Sequence, residues 1–147
     1  SYGDSRAVTQ AVAASLPARG IDAADRVAIV LPNSPEMAAA IVTVAQVATP
    51  APLNPAYRED EYAFYLEDLK AKALLIADHY DGPAFAAASK LGIPVIRLCV
   101  PDGAAAGYFT LSSDLTATPT AKAPKADDVA LILHTSGTTS RPKIVPL

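Results

Sequence analysis

Residues 134–143, HTSGTTSRPK, set five hydroxyl side chains (Thr135, Ser136, Thr138, Thr139 and Ser140) around Gly137, with Arg141 and Lys143 just behind. Small residues around a glycine let consecutive backbone N–H groups turn inward as an anion-binding nest. The hydroxyls add short donors, and a lysine adds a mobile point charge suited to phosphate oxygens. The chemistry to which this set of groups is suited is the grip of a polyphosphate. A polar hairpin turn with a solvated lysine is the plainer alternative. The ordered layout of the run, directly after the apolar VALIL of residues 129–133, favours the cradle.

Two familiar nucleotide-binding patterns do not fit. The P-loop of NTPases needs a second glycine directly before the lysine and a helix after it. Here Pro142 precedes Lys143, and KIVPL reads on as a strand. A dinucleotide fingerprint needs glycines two apart, and no two of the seven glycines have that spacing.

The elements that must carry this loop alternate between strand and helix. Val8, Val12 and Leu16 lie at helical spacing over 5–16, with Pro17 and Gly20 closing the turn. RVAIVL (26–31) is a continuous apolar run, as in a strand covered on both faces. Ser34 is placed to cap a helix, Pro35 fits its first position, and Glu36 suits its positive end. Residues 35–48 are apolar almost all round, which predicts a helix buried between layers. The prolines of TPAPLNP (49–55) impose extended backbone. Over 58–70, Tyr62, Tyr65, Leu66 and Leu69 share one helical stripe. KALLIA (72–77) and PVIRLCV (94–100) read as strands on either side of a short helix from Pro83 to Gly92. Residues 102–127 read as a surface connection, and 128–134 as a fourth buried strand that delivers the loop at its carboxyl end. The expected fold is α/β, a three-layer, mostly parallel sheet with helices on both faces.

Composition bounds the rest. The 147 residues are 51% hydrophobic and 18% charged, so the chain is globular and long enough for a core. A net charge of −3 without a basic block speaks against nucleic acid as a partner. The apolar runs are too short to span a bilayer. One cysteine, Cys99, and two separated histidines, His79 and His134, offer neither a disulfide framework nor the spacing of a zinc site, so no metal ligand is assigned. A reducing, cytoplasmic compartment is the expectation. Both ends look cut: the chain opens without Met and closes inside an apolar stretch.

The 134–143 run resembles the phosphate-loop signature of the AMP-forming adenylate-forming superfamily, which includes acyl-CoA synthetases, luciferases and peptide-synthetase adenylation domains. Thr135, Ser136, Gly137, Thr138, Thr139, Ser140, Pro142 and Lys143 all match it. GIDAADRVAIVLPNSPE (20–36), PAPLNPAYREDEYAFYLEDLKAKALL (50–75) and the opening SYGD are similar to further family segments. Ser140 and Ile144 stand where the family commonly has glycine, and 45–48 lacks another. Asn54, and the lack of a proline after Tyr57, resemble acyl-CoA synthetases more than peptide-synthetase domains. The form of the loop is similar to the oxalate:CoA ligase-like branch.

The resemblance implies an ATP-dependent ligase that activates a small-molecule carboxylic acid as acyl-AMP and passes it to CoA, with Mg2+ accompanying ATP. It assigns the hydroxyl loop and Lys143 to the β- and γ-phosphates, with Lys143 catalytic. His134 falls where the family often has an aromatic residue; a strand-end residue packed against the loop is the simpler reading. Tyr57, Cys99 and the acids at 59–61 read as core and surface. Residues 1–147 would then be the N-terminal portion of an adenylation domain. The groups for adenine, ribose, Mg2+ and acyl binding would lie beyond Leu147. On its own such a fragment is expected to be inactive, and to self-associate through surfaces left uncovered. A non-catalytic nucleotide-binding or assembly module is the alternative from another class; an acyl-AMP ligase or a peptide-synthetase adenylation domain is the alternative within the family.

Overall fold

The computed structural model describes residues 10, 12–113, 125–135 and 143–147. Five strands, β1 (Arg26–Val30), β2 (Thr49–Pro52), β3 (Ala73–Ala77), β4 (Val95–Cys99) and β5 (Thr110–Ser113), form one sheet in the order β2-β1-β3-β4-β5. The pairings β1–β2, β1–β3 and β3–β4 are parallel, and β5 runs antiparallel to β4.

The period of two along each strand explains both cores. Val27 and Ile29 of β1, Leu75 of β3 and Ile96 and Leu98 of β4 point to one face. There they meet Ala13 and Leu16 of helix α1 (residues 12–18) and Ala40 and Val44 of α2 (Pro35–Ala45). Ala28, Val30, Leu74 and Ile76 point to the other face. They pack against Tyr62, Tyr65, Leu66 and Leu69 of α3 (Glu59–Leu69) and Ala84, Ala87 and Ala88 of α4 (Pro83–Leu91). The expected three layers are present.

Local chemistry sets the boundaries. Ser34 Oγ accepts the Met37 N–H at 3.2 Å and Pro35 opens α2, as the sequence predicts. Glu36 finds a specific partner as well as a helix end. Its Oε1 accepts the Gly107 N–H at 3.0 Å, tying α2 to the segment before β5. That bond holds the Glu36 carboxyl below its ordinary pKa. Gly92 ends α4 at φ 68°, a left-handed cap that suits glycine.

Four expectations are corrected. Helix α1 runs through Pro17 to residue 18. The proline removes a single N–H in the last turn, which closes when Arg19 and Ile21 donate to the Leu16 carbonyl. Helix α2 is not buried between layers: only Ala40, Thr43 and Val44 are buried, and Val42 is 57% exposed. The stretch 102–127 is not all surface connection, since Phe109 is buried and β5 closes the sheet edge.

The last correction bears on the site. The strand expected at 128–134 does not join the parallel sheet. As β6 (Ile132–Thr135) it pairs antiparallel with β7 (Lys143–Pro146) in a separate two-stranded ribbon. Strand β2, which it lies beside, explains this. Thr49 and Leu53 donate their N–H groups to Asp25 and Ile29, inward toward β1. Alternation turns Pro50 and Pro52 outward, and neither has an N–H to donate. The edge is closed to a regular ladder.

Candidate functional site

The ribbon is seated by side chains instead. At its start, Thr49 Oγ1 donates to the Val129 carbonyl at 2.9 Å. Ile132 is buried in the core on the face of the sheet that α3 and α4 cover. His134 then meets Tyr65 of α3 edge-to-face, with centroids 4.4 Å apart. Tyr65 in turn stacks on Tyr57 at 4.8 Å, in the loop that follows β2. Residue 129 thus lies at the amino end of β2 and residue 134 beyond its carboxyl end. Strand β6 therefore ends on the side where the parallel strands have their carboxyl ends, the edge at which such sheets bind ligands.

Register fixes the two ends of that loop. Thr135 lies opposite Lys143 and His134 opposite Ile144, and Leu147 N–H extends the ribbon by donating to the Leu131 carbonyl at 2.8 Å. Paired positions share a face of a ribbon, so positions 135 and 143 lie on the face opposite to 134 and 144. Of the candidate phosphate-binding residues, Thr135 and Lys143 are thereby brought to adjacent backbone positions. Ser136, Gly137, Thr138, Thr139 and Ser140 lie outside the described residues.

Around His134 at the end of β6 the surroundings are apolar and aromatic. Tyr62 is fully buried, and its hydroxyl donates to the Asn54 carbonyl at 2.7 Å. Asn54 Oδ1 accepts the Ala56 N–H at 2.9 Å, folding the PLNPAY turn on itself. Tyr57 sits edge-on to Tyr62 at 5.7 Å, so this turn and the stack form one unit. Burial pushes the Tyr65 hydroxyl up to about 12. Tyr57 and Tyr65 are the residues whose place beside His134 at the end of β6 sequence reading missed; Tyr65 shows there only as part of the α3 stripe. The acids at the start of α3 stay on the surface, Glu59 with Lys90 and Glu61 with Arg58. Cys99 is half-buried beside Ser112. Among the described residues, no group of three or more His, Cys, Asp or Glu could hold a metal ion, and no helix is long and apolar enough to cross a membrane.

His134 packs at the strand end, and neither of its nitrogens has a hydrogen-bond partner among the described residues. Burial pushes its pKa below the ordinary imidazole value, against the opposing pull of Asp68. With the folded-state value depressed, the stability His134 contributes is fully present above the unfolded value of about 6.5. It is lost as pH falls from there through the folded-state value. Urea unfolding at pH 7.5 and pH 5.5 should show an acid loss that His134→Phe reduces; an equal loss in both proteins would contradict a buried neutral imidazole.

A family model described as "AMP-binding enzyme" matches residues 1–147. The oxalate–CoA ligase of Arabidopsis thaliana is 41% identical over 131 residues, covering 87% of this chain and 26% of that protein. A probable CoA ligase of Humulus lupulus, CCL9, is 39% identical over 148 residues, covering 92% of this chain and 26% of its own length. Among solved structures, ATP-bound MatB from Rhodopseudomonas palustris superposes with a TM-score of 0.74 at 32% identity, over 99% of this chain and 29% of that one. The chain spans about a quarter of the length of these curated relatives.

Proposed function

We propose a carboxylate-activating role for this chain, which belongs to the AMP-binding enzyme family: its parent protein is an ATP-dependent acid–thiol ligase. In the first half-reaction a carboxylate oxygen attacks the α-phosphorus of ATP. The bond to the β-phosphate oxygen breaks, and pyrophosphate leaves. In the second, the thiol sulfur of CoA attacks the acyl carbonyl and AMP leaves. The observation that carries the reading is the pairing of Thr135 opposite Lys143, the two described ends of the hydroxyl, glycine and lysine run, where β6 ends on the carboxyl side of the sheet.

The chemistry of these groups fits the triphosphate end of ATP. Hydroxyls of Thr135, Ser136, Thr138, Thr139 and Ser140 and the N–H groups around Gly137 would donate to phosphate oxygens. Lys143 would oppose the charge gathering on the departing pyrophosphate. No residue of this chain is assigned to the Mg2+ that accompanies ATP, to the adenosine or to CoA. Residues 1–147 produced alone are accordingly expected to support no carboxylate-dependent exchange of pyrophosphate into ATP; exchange sensitive to Lys143→Ala would show that they hold more of the site.

The acid is proposed to be small and oxalate-like, since the loop shares its form with the oxalate:CoA ligase-like branch and a named oxalate–CoA ligase is among the relatives. Pyrophosphate release by the parent enzyme, compared across oxalate, short-chain and long-chain acids, should be fastest at the small end. A clear preference for long chains would remove this assignment and leave the ligase reading standing.

A further inference from the structure

We infer that His134 is a positioning residue, whose ring, set against Tyr65 and through it against Tyr57, aims the hydroxyl loop as it leaves the sheet. The inference rests on reading that loop as the phosphate site. Its ground is the way the ribbon is attached. With Pro50 and Pro52 on the facing edge, β6 lacks a ladder to the sheet and is held by side chains. The Thr49–Val129 bond fixes the segment leading into β6, and buried Ile132, its first residue, anchors the strand. At the loop end, directly before Thr135, the described contact is the His134 ring on Tyr65.

The other end of this contact is packed in place. Tyr65 is buried and stacked on Tyr57, Tyr57 abuts Tyr62, and the Tyr62 hydroxyl is bonded to the Asn54 backbone. Asn54, Tyr57, Tyr62, Tyr65 and His134 thus form a continuous brace from the end of β2 to the mouth of the loop. Neither imidazole nitrogen has a partner among the described residues, so the ring's shape sets the direction. A phenyl ring should serve as well; a methyl group should not.

The test uses the full-length parent enzyme and follows each half-reaction separately. His134→Ala should lower kcat/KM for ATP in adenylation by about tenfold or more, on the scale of a small misplacement of a group that holds substrate. Thioesterification from preformed acyl-AMP should stay within about threefold, a split that general destabilisation would not produce. His134→Phe should restore adenylation to within about threefold of wild type. Should His134→Ala fail to fold, Tyr57→Leu decides the matter: removing the outer ring should lower kcat/KM for ATP by about threefold to tenfold. Damage by Phe equal to that by Ala, an indifferent His134→Ala, or an indifferent Tyr57→Leu in that case, would overturn the inference while acid-dependent exchange in the wild type still upheld the ligase. Absence of any such exchange in the wild type would overturn the ligase reading and this inference with it.

Discussion

Lys143→Ala in the parent enzyme should slow acyl-adenylate formation by about 10²–10³, the loss typical of one preorganised electrostatic group at a site of developing charge. As the bond to the β-phosphate breaks, negative charge grows on the pyrophosphate, and under the proposed role the Lys143 ammonium would oppose it. The backbone register explains why position 143 suits this role. It lies directly across from Thr135 in the ribbon, so the backbone at 143 is beside the residue at which the hydroxyl run begins. Thioester formation from preformed acyl-AMP no longer involves pyrophosphate and should change much less. Single-turnover measurement of each half-reaction separates the two, and equal damage to both would contradict the phosphate role. Lys143→Arg should recover only part of the loss, because a planar fork is a poor substitute for a mobile point charge.

Leu75→Ala should cost about 2–5 kcal/mol of folding stability, the range for emptying a packed leucine site in a core. Leu75 lies in β3, between β1 and β4, and is 1% exposed, so the surrounding strands cannot close over the gap. The loss is a large fraction of the stability of an ordinary domain. Leu75→Met, which nearly conserves volume, should cost less than about 1.5 kcal/mol. The urea midpoints of the two variants, taken at unchanged slope, make the comparison. A Leu75→Ala protein as stable as Leu75→Met would contradict a tightly packed sheet face.

What was legible in the sequence followed the strength of each local signal. The stripe of Tyr62, Tyr65, Leu66 and Leu69 appears as helix α3 with those four side chains buried. The Ser34–Pro35 start and the Gly92 stop stand where cap chemistry places them. Strand β5 was hidden because TLSS lies at an edge with its side chains exposed or half-exposed, so burial leaves no apolar pattern there. The apolar run VALIL reads as part of a fourth buried strand. Val129 and Leu133 are in fact exposed, at 42% and 37%, and a pair of prolines on another strand denies β6 a ladder to the sheet. That veto lies about eighty residues away and needs the pairing register to be seen. The candidate loop itself was legible as chemistry, from residue types alone. Its support was less so: nothing in the spacing of Tyr57, Tyr65 and His134 announces that their rings meet.

Acid-dependent exchange of labelled pyrophosphate into ATP, run on the full-length parent enzyme without CoA, tests the ligase proposal most directly. It isolates the half-reaction assigned to the loop, and its outcome does not depend on which thiol accepts the acyl group. The expected result is exchange that requires a carboxylic acid, is strongest with small acids, and drops by about 10²–10³ in Lys143→Ala. An enzyme that binds ATP yet exchanges no pyrophosphate with any acid across the panel would contradict it.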